Sequence, residues 1–200
     1  MILCEIRKIK ANSEIRNAYG GNMARLFISI DLPERIKDDI SDLYMAIPGA
    51  KWVGHLQLHL TLRFIGETDN ITEDKIISVL NTVKVPPFEI LIKGVGHFPP
   101  RKHPKILWVG ITENIELFRL QSKIEKALTS IGIAPDIRRF HPHITVARLN
   151  ESPLEKVALF ITSNSLFSTE PFTVSQYHLY SSFLKKEGAY HQIEASFLLT

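Results

Sequence analysis

The sequence predicts an α+β fold in which a β-α-β-α-β unit occurs twice and forms two similar lobes with mainly antiparallel sheets. Three observations carry this. The same order of strand-like and helix-like segments recurs along the chain. His59 maps to His143, and Phe88 to Phe172, at one common offset of 84 residues. The strand-like segments alternate apolar with polar residues, as half-buried antiparallel strands do, so helices are expected on the outer faces of the sheets. No glycine-rich phosphate turn follows any strand, which argues against a parallel doubly wound sheet.

The elements follow in order. Residues 1–22 stand apart as an N-terminal extension, ended by the breaker Gly20-Gly21-Asn22. Arg25 to Ile30 is a strand. Pro33 sits at a first-turn position of a helix carrying Ile36, Ile40, Leu43 and Ile47 on one face, stopped by Pro48-Gly49. Leu58 to Phe64 is a period-two strand whose even positions are apolar and whose odd positions are His59, Thr61 and Arg63. A helix from Thr72 carries Ile76, Ile77, Leu80 and Val83, and Phe88 to Val95 is a strand after Pro86-Pro87.

The order then repeats. Lys105 to Ile111 is a strand, and Glu113 to Ile131 a helix with Leu117, Leu120, Ile124 and Leu128 on one face and Gly132 at its C′ position. His143 to Ala147 is a strand. Ser152-Pro153-Leu154-Glu155 reads as a capping box opening a short helix. Phe172 to Tyr180 and Ala189 to Leu198 are strands joined by a hairpin loop at 184–188. The expected organisation is an extension at 1–22 and a two-lobed domain at 23–200, with lobes at about 23–97 and 105–180 and a closing strand at 189–198.

Composition narrows the functional classes. Hydrophobic residues at 44% and charged residues at 22% exclude a mostly disordered chain. One cysteine, Cys4, leaves no intramolecular disulfide and no multi-cysteine metal site. No apolar run approaches the roughly 20 residues of a membrane helix, and no charged-then-apolar start resembles a secretory signal, so a cytoplasmic chain with no membrane contact is expected. The net charge is +3. Arg7, Lys8, Lys10 and Arg16 against Glu5 and Glu14 place +2 of it in the extension, leaving +1 for the domain. A charge this small is too weak to name a partner.

The chemistry lies in two strands. Of the eight histidines, only His59 and His143 are followed by threonine two residues later, in His-Leu-Thr-Leu and His-Ile-Thr-Val, in the same slot of the repeat. Residues i and i+2 of a strand project to one face about 6–7 Å apart. If the lobes face each other, two imidazoles and two hydroxyls converge. A neutral imidazole can serve as general base and a protonated one as general acid near neutral pH. Thr61 and Thr145 can hold phosphate oxygens, and Arg63 can add charge. Such a site suits in-line displacement at phosphorus without a metal. The symmetric pair does not say which histidine is the acid.

His59-Leu60-Thr61-Leu62-Arg63-Phe64-Ile65-Gly66 and His141-Pro142-His143-Ile144-Thr145-Val146-Ala147-Arg148 resemble the two signatures of the two-histidine (2H) phosphoesterases, in the branch of RNA 2′,3′-cyclic phosphodiesterases also called 2′-5′ RNA ligases. Arg25 to Pro33, Phe98-Pro99, Ile106 to Gly110 and Gly188-Ala189-Tyr190 are similar to that branch too, so the resemblance covers about 23–200. It implies a bilobal α+β fold with a pseudo-twofold axis and a central cleft. It implies hydrolysis of RNA 2′,3′-cyclic phosphate ends to 2′-phosphomonoesters, with possible 2′-5′ joining. His59 would be the proton donor to the 3′ oxygen, His143 the proton acceptor from water, and Thr61 and Thr145 the phosphate-binding pair. No cofactor or metal, RNA ends as partner and a monomeric chain are expected.

Weaker candidates remain open. Arg148 falls on the opposite parity from His143 and reaches the cleft only if the strand bends near Ala147. His141 could orient substrate or sit in a loop before Pro142. Arg101-Lys102-His103-Pro104-Lys105 could meet an RNA backbone or be a solvated loop. Trp108, Phe64 and Tyr190 could stack a base or pack in the core. His55 and His59 have helical i, i+4 spacing, but a strand at His59 would hold them roughly 13 Å apart.

Overall fold

Among the described residues, every strand pairing is antiparallel. The computed structural model describes residues 23–100, 103–185 and 188–200. The proposed extension with Cys4, Arg101 and Lys102 of the basic loop, and Lys186-Glu187 of the final hairpin lie outside them.

The strands are β1 (Met23–Asp31), β2 (Ala50–Trp52), β3 (His59–Asp69), β4 (Phe88–Ile90), β5 (Ile92–Phe98), β6 (Ile106–Ile111), β7 (His143–Leu149), β8 (Phe172–Val174), β9 (Gln176–Lys185) and β10 (Gly188–Leu198). The helices are α1 (Glu34–Ser41), α2 (Asn70–Leu80), α3 (Ile115–Ser130) and α4 (Leu154–Ser163). One four-stranded sheet has the order β10-β9-β1-β3 and the other β2-β7-β6-β5; β4 and β8 form a two-stranded ladder.

The 84-residue offset maps β3 onto β7 and β5 onto β9, and β1 corresponds to β6 because each pairs with the histidine strand of its sheet. The sheets are therefore equivalent but strand-swapped: β9 joins β1 and β3, while β5 joins β6 and β7. This corrects the expected split into lobes at about 23–97 and 105–180, since each sheet draws a strand from the other half. The cause lies at β4 and β8. Phe88 pairs Val174, Glu89 pairs Thr173 and Ile90 pairs Phe172, so each strand lies against its own repeat about a local two-fold between Glu89 and Thr173. Passing that axis carries each half of the chain into the opposite sheet.

Helices form where caps and apolar spacing agree. Asp69 accepts from the Thr72 amide to start α2, and Asn114 from the Leu117 amide to start α3. In α3, Leu117, Leu120, Ile124 and Leu128 are fully buried, each contributing about 1.5–3 kcal/mol of transfer free energy. Gly132 follows with φ +90°, the left-handed conformation that glycine adopts without a Cβ penalty.

Three local expectations change. α1 ends at Ser41, not at Pro48, because Leu43 and Tyr44 turn back with i−3 hydrogen bonds to Ile40 and Ser41; Leu43 and Ile47 are nonetheless buried. The capping box at Ser152 is absent: Pro153 is the N-cap residue, and Ser152 Oγ is buried without a hydrogen-bond partner among the described residues. The strands expected at 88–95 and 172–180 each break in two, at Leu91 and Ser175.

β1 sorts its faces cleanly. Leu26, Ile28 and Ile30 join the core with α1 residues Ile36 and Ile40. Phe27, Ser29 and Asp31 therefore point to the opposite face.

Candidate active site

β3 and β7 lie against one another, so the two sheets meet along the strands that begin with His59 and His143. On each strand the buried residues Leu60 and Leu62, or Ile144 and Val146, alternate with half-buried His and Thr. His59 and Thr61 thus share one face, as do His143 and Thr145. His59 Nδ1 lies 2.7 Å from the Gln57 carbonyl oxygen, and His143 Nδ1 lies 2.7 Å from that of His141. A carbonyl only accepts, so each Nδ1 carries a hydrogen and each neutral ring keeps its lone pair on Nε2. The Thr61 and Thr145 hydroxyls have no hydrogen-bond partner among the described residues.

A bulge in each strand then resets the parity. Along β1 and β3, Ser29 pairs Thr61 but Ile28 pairs Arg63, leaving Leu62 as an extra residue. Along β6 and β7, Trp108 pairs Thr145 but Leu107 pairs Ala147, leaving Val146 extra. Residue 63 therefore turns toward the helices, and residue 64 joins the histidine face. Arg63 is buried there, with Nη2 donating to the Ala134 carbonyl at 2.5 Å, Nε 3.1 Å from Glu125 and Nη1 3.3 Å from Asp136. This corrects its assignment as a phosphate ligand: the bulge turns it away from the site and two carboxylates neutralise it. In β7 the same device buries Ala147 and brings Arg148 onto the histidine face, exposed. Its guanidinium has no hydrogen bond or ion pair with the described residues and is near enough to lower the His59 pKa.

Each catalytic candidate sits in an aromatic wall. Around His59 are Phe27 at 5.1 Å and His191 at 5.6 Å between ring centroids. Around His143 are Phe98 at 5.0 Å and Trp108 at 6.5 Å. Trp108 and the exposed Phe64 and Tyr190 are thus not core residues. His141 lies edge-on to Phe98, and its carbonyl anchors His143.

Burial holds the His59 ring below the ordinary imidazole value, opposed by the Gln57 carbonyl and the Asp31 carboxylate. His143 is likewise lowered by burial, opposed by its carbonyl partner. Burial and the neighbouring His59 push His191 down to about 4. His55 is not a partner of His59: it occupies a 3-10 turn and lies 2.9 Å from Asp38. Among the described residues no cluster of three His, Cys, Asp or Glu side chains could hold a metal.

Phe27, Asp31, Tyr180 and His191 are site-face residues that the histidine pattern alone does not find. The alternation of β1 is the signal that could have found Phe27 and Asp31.

The sequence pattern of the 2′-5′ RNA ligase superfamily matches residues 32–182. The chain belongs to this superfamily. It is 33% identical over 159 residues to an RNA 2′,3′-cyclic phosphodiesterase of Aeropyrum pernix, covering 77% of this chain and 87% of that one. It is 30% identical over 167 residues to one of Archaeoglobus fulgidus, covering 82% and 94%. Among solved structures it is similar to TT0787 of Thermus thermophilus, with TM-score 0.75, 24% identity and coverage of 88% and 97%. It is also similar to E. coli LigT complexed with 3′-AMP, with TM-score 0.73, 22% identity and coverage of 89% and 99%. These structural likenesses extend the superfamily's α+β fold over most of the chain. No helix among the described residues is long and apolar enough to cross a membrane.

Proposed function

We propose that this chain is an RNA 2′,3′-cyclic phosphodiesterase that opens the cyclic ester to a 2′-phosphomonoester with a histidine acid–base pair. The single observation that carries the reading is the matched pair of rings. Both are anchored through Nδ1 on a carbonyl two residues back, and both keep Nε2 for the substrate, beside two unengaged threonine hydroxyls and Arg148. The relatives named above supply the substrate class.

The reaction balances as follows. His143 Nε2 takes a proton from water as its oxygen attacks phosphorus. The P–O3′ bond breaks in line, and His59 gives its Nε2 proton to the departing 3′ oxygen. Thr61 and Thr145 donate to the non-bridging oxygens, and Arg148 neutralises the charge that grows there. The scheme uses no metal or cofactor. A 5′-hydroxyl in place of water would join two ends through a 2′-5′ bond by the same proton transfers.

The test is an oligoribonucleotide ending in a 2′,3′-cyclic phosphate, incubated with chelator. The expected product is a 2′-phosphate, with His59→Ala and His143→Ala each lowering kcat by about 10²–10⁴-fold while remaining folded. A 3′-phosphate product, or either variant at full activity, refutes the scheme. Binding of the cyclic end without turnover refutes the catalytic reading and leaves an RNA-end-binding module.

A further inference from the structure

Asp31 ends β1 directly opposite His59 in the antiparallel ladder. Residues paired in this way lie on one face with Cβ atoms about 4.5–5.5 Å apart. The carboxylate is held from the next strand over. The Tyr180 hydroxyl of β9 donates to Oδ1 at 2.6 Å, and His178 Nε2 lies 3.9 Å from Oδ2. His178 is itself fixed by Ser196 of β10, Nδ1 to Oγ at 2.8 Å. Phe27, between the two strands, stacks on Tyr180 at 5.2 Å and contacts the His59 ring at 5.1 Å.

We propose that Asp31 is a positioning residue for the acid: its carboxylate, fixed by Tyr180, favours the imidazolium of His59 against the surroundings that disfavour it. The inference rests on His59 being the proton donor. A general acid enclosed among rings has a difficulty, because burial disfavours the imidazolium. The charged and titratable groups around His59 and its neighbour Asp31 come from four strands: Asp31 itself of β1, Arg148 of β7 and His191 of β10 beside His59, and His178 and Tyr180 of β9 beside Asp31. Of those that act directly on His59, Arg148 disfavours its proton and Asp31 favours it. Burial lowers His178, opposed by Asp31, and pushes His191 down to about 4, while the Tyr180 phenol is raised by burial and by Asp31, so it stays protonated and donating. His143 has no carboxylate in this place: the residue opposite it in the β6–β7 ladder is Gly110. A base needs none.

The deciding experiment is an NMR titration of the imidazole nitrogens in the full chain, with His59 assigned by its loss in His59→Gln. In Asp31→Asn the His59 midpoint falls by about one pH unit, the His143 midpoint does not move, and Asp31→Glu restores the wild-type value. The alkaline limb of the hydrolysis profile moves acidward by the same amount. An unmoved His59 midpoint in folded Asp31→Asn overturns the proposal, as does a loss of rate with no shift of the limb, which is what a purely structural role would give. The wild-type chain supplies a second reading that needs no folded variant of Asp31. The Asp31 carboxyl carbon must show an inflection at the His59 midpoint, and its absence overturns the coupling. Because the titration needs no turnover, inactivity toward cyclic phosphates would refute the enzymatic scheme and leave this result separate.

Discussion

Replacing Arg63 by methionine separates a structural cation from a catalytic one. The side chain is 8% exposed, and its partners Glu125 and Asp136 are 18% and 23% exposed. Methionine fills much of the volume but leaves two carboxylates and the Ala134 carbonyl without their cation. Removing one partner of a buried ion pair costs about 3–5 kcal/mol. The lower end applies here. Both acids keep some water, Nε is near Glu125 without being aligned for a hydrogen bond, and Asp136 retains Arg138 at 2.8 Å. A loss of about 3 kcal/mol in a domain of this size lowers Tm by about 6–12 °C. Thermal unfolding followed by far-UV circular dichroism measures this. Hydrolysis at a temperature where both proteins are folded should then agree within about threefold. Arg148→Gln is the mirror experiment: Tm holds, while kcat falls by about 10²-fold, the cost of losing one donor to a developing oxyanion. If Arg63→Met keeps its Tm within about 2 °C and loses turnover as Arg148→Gln should, the bulge argument is wrong and Arg63 reaches the phosphate.

Two further outcomes follow from burial at the site. His59, His143, His178 and His191 all titrate below the ordinary imidazole value in the folded chain, so the unfolded chain binds more protons between about pH 6.5 and 4. Stability therefore is full above about pH 6.5 and falls as the pH drops toward 4. Urea midpoints equal at pH 7.5 and 5 would contradict this. Gly96→Ala would place a Cβ within the Trp108 indole. A cost of about 1–3 kcal/mol is expected from the overpacking, with an altered tryptophan emission and reduced kcat, because Trp108 lines the His143 ring. Unchanged emission and rate would show that the indole has room to move.

Much of this was legible because it depends on period and repeat. The alternation of Leu58 to Phe64 and the matching His-x-Thr at His143 are the burial alternation that β3 and β7 show, with His and Thr half-buried between buried apolar residues. The apolar spacing of α3 marks its buried face, and the α+β class follows from the polar strand faces. What sequence could not carry was non-local. Nothing in the order of elements says that β5 leaves its own half for the sheet of β6 and β7, because that choice is made by the pairing of β4 with β8. The two edge additions, β2 beside β7 and β10 beside β9, break the repeat for the same reason. The carboxylate opposite His59 was hidden too, since a ladder register between residues 31 and 59 is fixed by the sheet and not by spacing along the chain.

The bulges also show how a duplicated fold obtains an unsymmetrical site. Both histidine strands carry an extra residue at the same place of the repeat, Leu62 and Val146. In each, the next residue turns to the core and the one after it to the site. The backbones are thus equivalent, and only the residues occupying those two slots differ. In β3 the core slot holds Arg63, which binds α3 and the 134–136 segment to the sheet, and the site slot holds the aromatic Phe64. In β7 the core slot holds small Ala147, and the site slot holds Arg148. The exposed cation Arg148 therefore comes from the His143 strand, and the carboxylate of Asp31 lies opposite His59. A cation beside the phosphate favours the charge that develops there, whereas a carboxylate behind His59 favours the imidazolium. In the proposed mechanism they would together distinguish donor from acceptor in a pair whose local anchoring is identical. Reversing the roles would need a carboxylate near His143, and Gly110 holds the ladder position opposite it.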